Sequence, residues 1–409
     1  MIDLTEILIL SFSSALIFIV KLLDKDPPAL FGIYQRKNGF YWLKVAFMYC
    51  VLKARKIKRA LSKHDELQFL SSIDRPQKLS NHDKAIDAVY MNGANKNGDH
   101  LVVGLATRPD VVDGFLYLKI AGSNLGVLET PKLPSTTLCK TEENKSYYSA
   151  EGIKMEPVEP MKKWKLSYSG KMKEFGNRAV EHNVKIEGSW ESDQPYFNFD
   201  YDIDPMLMAK SMALERWSRS YFEVLEGNHQ THYEQFGTLK LDVTIDEKVF
   251  KIELETVRDH SFGKYREWGQ FHRYALHYFA TETGDCFAVG QLCAPITFSC
   301  LTFGYVYNAK QKKIFPLRDC SFKLFQHGGI DVPSQDYGFT FSAGGKTYAV
   351  QVQVVDSPHF YISKNWEAKI YERMCTFEVN GVKAWGASEW QYRNIEEKNV
   401  QDHESSSPE

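Results

Sequence analysis

The motifs that announce common chemistries are missing from this 409-residue chain, and long helices with an apolar stripe are scarce in its main body. There is no GxSxG nucleophile elbow, no GxxxxGK phosphate loop, no GxGxxG dinucleotide turn and no HExxH metal helix, so serine-hydrolase, P-loop, Rossmann and zincin chemistry are all set aside. Cysteine is sparse: seven residues, widely spaced and without a CxxC pair, fit neither a disulfide framework nor a zinc site, and reduced thiols are the simpler account. The formal net charge of −2 speaks against nucleic acid as a partner, since that needs a strongly basic face. No residue pattern asks for a cofactor or a metal; His229 and His232 have a metal-like spacing but sit in what reads as a polar turn.

Aromatic residues, by contrast, make up 14% of the chain, many in short alternating runs that favour strands. From about Ala85 such runs follow one another: Asp87 to Tyr90, Leu101 to Thr107, Phe115 to Ile120, Trp164 to Ser169 and Val184 to Trp190. A second series starts near Phe236 and continues to Gln391. Asp246-Glu247-Lys248 and Asn380-Gly381 read as tight hairpin turns within it. Met206 to Trp217, with Asp204 as its cap, is the most plausible helix between the two series. Many short strands without intervening helices predict a mainly β protein of antiparallel sandwiches or barrels.

The N-terminal end is different. Ile7 to Val20 is an uncharged run of fourteen residues, extendable from Leu4 to Leu23 by admitting Glu6 and Lys21. That length lies between a signal-peptide core and a full membrane span. A retained anchor is the expectation; a cleaved signal and a buried helix are the alternatives. Between Asp26 and Asp65 there is no acidic residue, only Arg36, Lys37, Lys44, Lys53, Arg55, Lys56, Lys58, Arg59 and Lys63 among the charged ones. The positive-inside tendency places that side, and the main body, in the cytosol. Phe40 to Leu61 mixes these bases with aromatics and predicts an amphipathic helix on an anionic membrane surface, or else an ordinary helix with a solvated basic face.

The stretch Lys251 to Tyr278 concentrates the candidate site. Read as a strand, Lys251 to His260 places Ile252, Leu254, Thr256, Arg258 and His260 on one face, and its apolar row thus ends in an arginine and a histidine. Such groups need partners or a cavity. His260 is the candidate proton donor, since a histidine titrates near neutrality. Arg258 could take a carboxylate or phosphate head group. Asp259 falls on the opposite face, within reach of Arg266 or Arg273. Phe262, Tyr265 and Trp268 could wall a hydrophobic pocket or simply fill a core. His272 and His277 lie on opposite faces of the next strand, so at most one of them joins this site.

Arg-Asp-His-Ser-Phe-Gly from Arg258, followed by Lys-Tyr-Arg-Glu-Trp, resembles the RDHSWGxRxW signature of the AttH and carotenoid 1,2-hydratase-like group, with which fungal Diels–Alderases share a lipocalin-like architecture. His232-Tyr233-Glu234-Gln235, Asn380-Gly381 and Glu389-Trp390 resemble further features of that group. The resemblance implies two packed lipocalin-like β-barrels with an apolar cavity. It also implies a role for His260, with Phe262 at a position where the group has tryptophan, in protonating an isoprenoid double bond; Tyr278 enters the site by position only.

The expected organisation is therefore a membrane anchor over 1–25, a basic juxtamembrane segment over 26–77, β-barrel domains over 78–248 and 249–396, and a disordered tail over 397–409. The expected function is binding of an isoprenoid- or lipid-like molecule, with its hydration, isomerisation or cyclisation as a further step, at a membrane for which the endoplasmic reticulum is one candidate. Catalysis would fall to His260, and ligand binding to Arg258, Asp259, Phe262, Arg266, Trp268, His272 and Tyr278. A non-catalytic lipid carrier and an interaction scaffold remain as alternatives.

Overall fold

The structure, a computed structural model, describes residues 25–62, 66–140, 146–327, 329, 332–363 and 365–394, with isolated residues between 12 and 21. The expected anchor lies for the most part outside the described residues, as does the expected tail. No helix among the described residues is long and apolar enough to cross a membrane.

The described residues are mainly β and form two antiparallel sheets. In the first, Gln230–Ile245, Lys248–Gly263, Ile86–Ala94, His100–Thr107 and Val111–Lys119 are neighbours. Its path then runs through the two-residue strand Leu128–Glu129 to Lys163–Glu174 and Asn177–Glu191, which pairs back onto Gln230–Ile245. In the second, eight strands from Arg273–Thr281 to Val382–Arg393 close when Lys346–Asp356 pairs with Ala368–Val379. Closure removes the exposed sheet edges that would otherwise recruit other strands.

Both predicted hairpins form. Asp246 (φ 53°) turns the chain between two sixteen-residue strands, and Asn380 (φ 50°) with Gly381 (φ 83°) makes the left-handed pair that a two-residue hairpin requires. One boundary differs from expectation. Lys248–Gly263 pairs with both Gln230–Ile245 and Ile86–Ala94, so it completes the first barrel, and the break between barrels falls after Gly263 instead of at residue 248. Alternating apolar residues mark a strand, but they do not say which sheet it joins.

The three largest apolar clusters among the described residues follow from this arrangement. One fills the first barrel around Trp164 and Trp190, and another fills the second around Phe279, Phe287 and Trp390. The third lies between the barrels and is strongly aromatic: Phe115 meets Phe360 with centroids 4.2 Å apart, and Phe197 stacks on Tyr305 at 4.5 Å. Such pairs add roughly 0.5–1.5 kcal/mol beyond the area they bury. The expected helix near Met206 spans Pro205–Leu214, with Asp204 Oδ1 accepting from the backbone N–H groups of Met206 and Leu207 at its start. A longer helix, Tyr41–Leu61, packs Tyr41, Val45 and Met48 against it. The basic segment is thus docked on the double barrel.

Candidate functional site

Lys248–Gly263 alternates between half-buried and exposed at its start and is buried or half-buried on both faces from Thr256 onward, because there it is covered by its own barrel on one side and by the second barrel on the other. The two faces differ in kind. Arg258 and His260 point into the first barrel and are fully enclosed. Arg258 Nη1 donates to Asp74 Oδ1 at 2.7 Å, its Nη2 donates to Gln235 Oε1 at 3.1 Å, and the guanidinium lies between the Trp164 and Trp190 rings. Burial alone would favour a neutral Asp74, but Arg258, the Met161 N–H and the Tyr233 and Trp164 donors hold its pKa below the usual value.

His260 Nδ1 lies 3.0 Å from the Tyr233 hydroxyl; its Nε2 lies 2.6 Å from Asp87 Oδ1 and 3.1 Å from the Tyr148 hydroxyl. Both ring nitrogens are therefore engaged, and His260, the expected proton donor, is not among the residues that line the cavity between the barrels. Arg258 is likewise enclosed, with Nη1 and Nη2 spent on Asp74 and Gln235. The row that reads from sequence as the pocket face is a sealed polar core.

The other face carries the site. Asp259 and Ser261 line a cavity of about 600 Å³ between the barrels. Its walls include Phe199, Trp268, Phe271, Tyr274, Leu301 and Phe303, and Arg266 lies among them. At one end two cross-strand carboxyl pairs meet. Glu234 lies opposite Asp259 in the first barrel, and Glu372 lies opposite Glu389 in the second. The pairs are laced by tyrosines exchanged between barrels: Tyr278 donates to Glu234 Oε1 at 2.9 Å, and Tyr90 donates to Glu372 Oε2 at 2.9 Å. Tyr274 donates to Glu389.

Like charges directly opposite on neighbouring strands repel, and burial disfavours each ion further. Burial and then Glu234 push the Asp259 carboxyl up to about 6, against the pull of His232 and Arg266. Burial and then Asp259 push Glu389 up to about 7, against the Tyr274 hydrogen bond and Arg266. Burial and the neighbouring Glu389 carry Glu372 well above the carboxylate range. His232, stacked on Phe199 at 4.3 Å, is raised: burial favours its neutral ring but is outweighed by Glu234 and Asp259. Burial and the nearby Arg108 bring Arg266 down to about 10, so it remains a cation. The site thus holds carboxyls that keep a proton near neutral pH beside an apolar chamber, the arrangement that general-acid work needs.

Ligand atoms of His232, Glu234 and Asp259 lie within 4.8 Å of one another, close enough to hold a metal ion. The set fits proton sharing better, because Arg266 already supplies positive charge and Tyr278 occupies Glu234 Oε1.

The remaining predicted residues scatter. Arg266 lies in the cavity wall, its guanidinium bonded to Gln230 Oε1 and Ser261 Oγ, and Trp268 packs beside it at 5.6 Å. Tyr278 is behind the wall, bound to Glu234. Phe262 is half-buried outside the cavity, 5.0 Å from the His260 ring, and Tyr265 stacks on His82. His272 meets Tyr34 edge-on at 5.9 Å, away from the cavity. Arg273 bonds the Leu324 and Gly329 carbonyls, and His277 bonds Val289 and Tyr337 inside the second barrel. Sequence reasoning missed His232, which stands on a strand and not in a turn, and it missed Glu234, Glu372 and Glu389 as site residues. The signal was available: the Asn380-Gly381 turn fixes the register that sets Glu372 opposite Glu389.

Two antiparallel β-barrels with a cavity between them define a double-barrel fold. An AttH-like crystal structure from Nitrosomonas europaea shares this fold at a TM-score of 0.53 and 8% identity, covering 81% of this chain and 98% of that one. Kievitone hydratase from Nectria haematococca superposes less closely, with a TM-score of 0.45 and 11% identity over 79% of this chain and 94% of that one. The chain itself belongs to the family described as "Family of unknown function (DUF8627)", whose model matches residues 8–392. No curated protein sequence matches it.

Proposed function

We propose that the protein binds a hydrophobic, isoprenoid- or lipid-like small molecule between its barrels and converts it by acid catalysis: hydration, isomerisation or cyclisation. The two carboxyl pairs at the end of the apolar chamber carry this reading. A neutral Asp259 or Glu389 carboxyl gives its proton to a double bond, and the carbocation is faced by Trp268, Phe271 and Tyr274. Water then adds and returns a proton to the carboxylate, or a neighbouring C–H loses its proton to the same oxygen. The catalytic role expected of His260 passes to these carboxyls.

Mass spectrometry of molecules co-purifying with the full chain tests this. Leu301→Trp, which fills the chamber, should empty it, while Glu389→Gln should retain a ligand and accumulate unconverted substrate. The same molecule on wild type and Glu389→Gln would favour a carrier; no enriched molecule on either would favour a scaffold.

Membrane attachment through the Leu4 to Leu23 run and the basic segment, with the main body in the cytosol, is part of the same proposal. Leu43, Phe47, Ile57 and Leu61 form an exposed stripe on the outward side of Tyr41–Leu61, with Lys53 and Lys58 beside it. Flotation with anionic vesicles should be lost in Phe47→Glu/Ile57→Glu once the N-terminal run is removed; binding unchanged by that pair would sink the helix's share of the proposal.

A further inference from the structure

The helix Tyr41–Leu61 changes character along its inner face. Tyr41, Val45 and Met48 are buried against Pro205–Leu214, as helical spacing allows. Two turns further on, the same side presents Arg55, Lys56 and Arg59, and all three line the inter-barrel cavity. The acidic groups facing them are largely engaged. Asp200 Oδ1 holds His229 Nε2 at 2.7 Å, and Asp202 Oδ2 accepts the Asn198 N–H at 2.9 Å. Arg59 is pinned over the Tyr201 ring, 3.2 Å from its centroid. Arg55 and Lys56 are exposed and have no ion pair or hydrogen bond among the described residues.

The chamber therefore differs at its two ends, with Arg55, Lys56 and Arg59 at one, apolar walls, and Asp259, Glu372 and Glu389 beside Arg266 at the other. An anion at the carboxyl end would have to compete with Asp259, Gln230 and Ser261 for Arg266 and would lie against carboxyl oxygens, whereas at the basic end it would meet exposed donors that keep their own hydration while they pair. We infer that the ligand is a single-chain amphiphile with an anionic head group, carboxylate or phosphate. Its head rests on Arg55 and Lys56, and its chain runs inward toward Asp259 and Glu389. This rests on the proposed use of the cavity and adds the chemistry and direction of what enters it.

The test uses the full chain with oleate, oleyl phosphate, oleyl alcohol and oleylamine, each titrated by calorimetry into wild type and Arg55→Gln/Lys56→Gln. The two anions should bind roughly tenfold tighter than the alcohol, as two exposed charge contacts allow, and the amine weakest. The double variant should bring the anions to the level of the alcohol and leave alcohol binding and the melting temperature unchanged. A preference for only one anion identifies the head group. Equal binding of anions and alcohol in wild type, or an equal loss of both in the variant, would overturn the head-group assignment while leaving the cavity as a ligand site. Failure of all four to bind would defeat the cavity reading and this inference with it.

Discussion

Two neighbouring residues on one strand should respond oppositely to substitution. His260→Ala removes the ring that meets Tyr233, Tyr148 and Asp87 at 3.0, 3.1 and 2.6 Å in a sealed barrel. Neutral buried hydrogen bonds are worth about 1 kcal/mol each and one to a charged group about 1.5–3. The partners keep some compensation, because Tyr233 also donates to Asp74 at 2.6 Å and Asp87 Oδ2 accepts the Gln77 N–H at 2.7 Å. The net loss should be on the order of 3–5 kcal/mol, a large share of a typical domain's stability. Asp259→Asn keeps the shape of a side chain that makes no hydrogen bond among the described residues and whose ionised form is already disfavoured by burial. Its cost should stay within about 1 kcal/mol, and above pH 6 it should stabilise. Urea unfolding followed by tryptophan fluorescence reads both, with ligand content measured on the folded fraction. His260→Ala as stable as wild type but unable to process its ligand would refute the structural role given to the histidine. An unfolded Asp259→Asn would refute the other half.

Arg258→Met should destabilise the first barrel by about 3–5 kcal/mol, since it leaves the Asp74 carboxylate buried without its cation, whereas replacing both partners with apolar residues should recover much of that loss; chemical denaturation of both variants checks this. Stability should also depend on pH through the interface carboxyls. Glu389 and Asp259 have folded pKa values raised to about 7 and about 6, so their contribution is fully present below the ordinary carboxylate pKa and is lost as pH rises through those values. Between pH 5 and 8 wild type should therefore lose stability relative to Glu389→Gln by on the order of 1–3 kcal/mol, measured as the difference between their unfolding curves. Parallel curves across that range would contradict the assignment.

Much of the architecture was legible in the sequence. Period-two aromatics and the two hairpin turns give antiparallel barrels, and Asp204 marks the start of its helix. The site was legible in its address and misread in its face. Arg258 and His260 end an apolar row, and buried polar groups at a row's end look like a pocket; here they form a closed network with Asp74, Asp87, Tyr148 and Tyr233, which come from distant parts of the chain. Alternation separates the two faces of a strand but does not reveal that a second barrel covers the outer one. Residues such as Glu372 and Glu389, an ordinary solvent-facing pattern in an isolated strand, become a buried and a half-buried partner only when that barrel arrives. The helix Arg219–Gly227, capped by Ser218, was not anticipated, since it is short and buries only Tyr221.

The most direct measurement is photocrosslinking of the full chain with a fatty acid carrying a diazirine in its tail, followed by peptide mapping. The account predicts labels on the cavity walls, in the segments around Phe199, Phe271 and Leu301 to Phe303. Labels confined to the interior of the first barrel, around Trp164, Trp190 and His260, would contradict it.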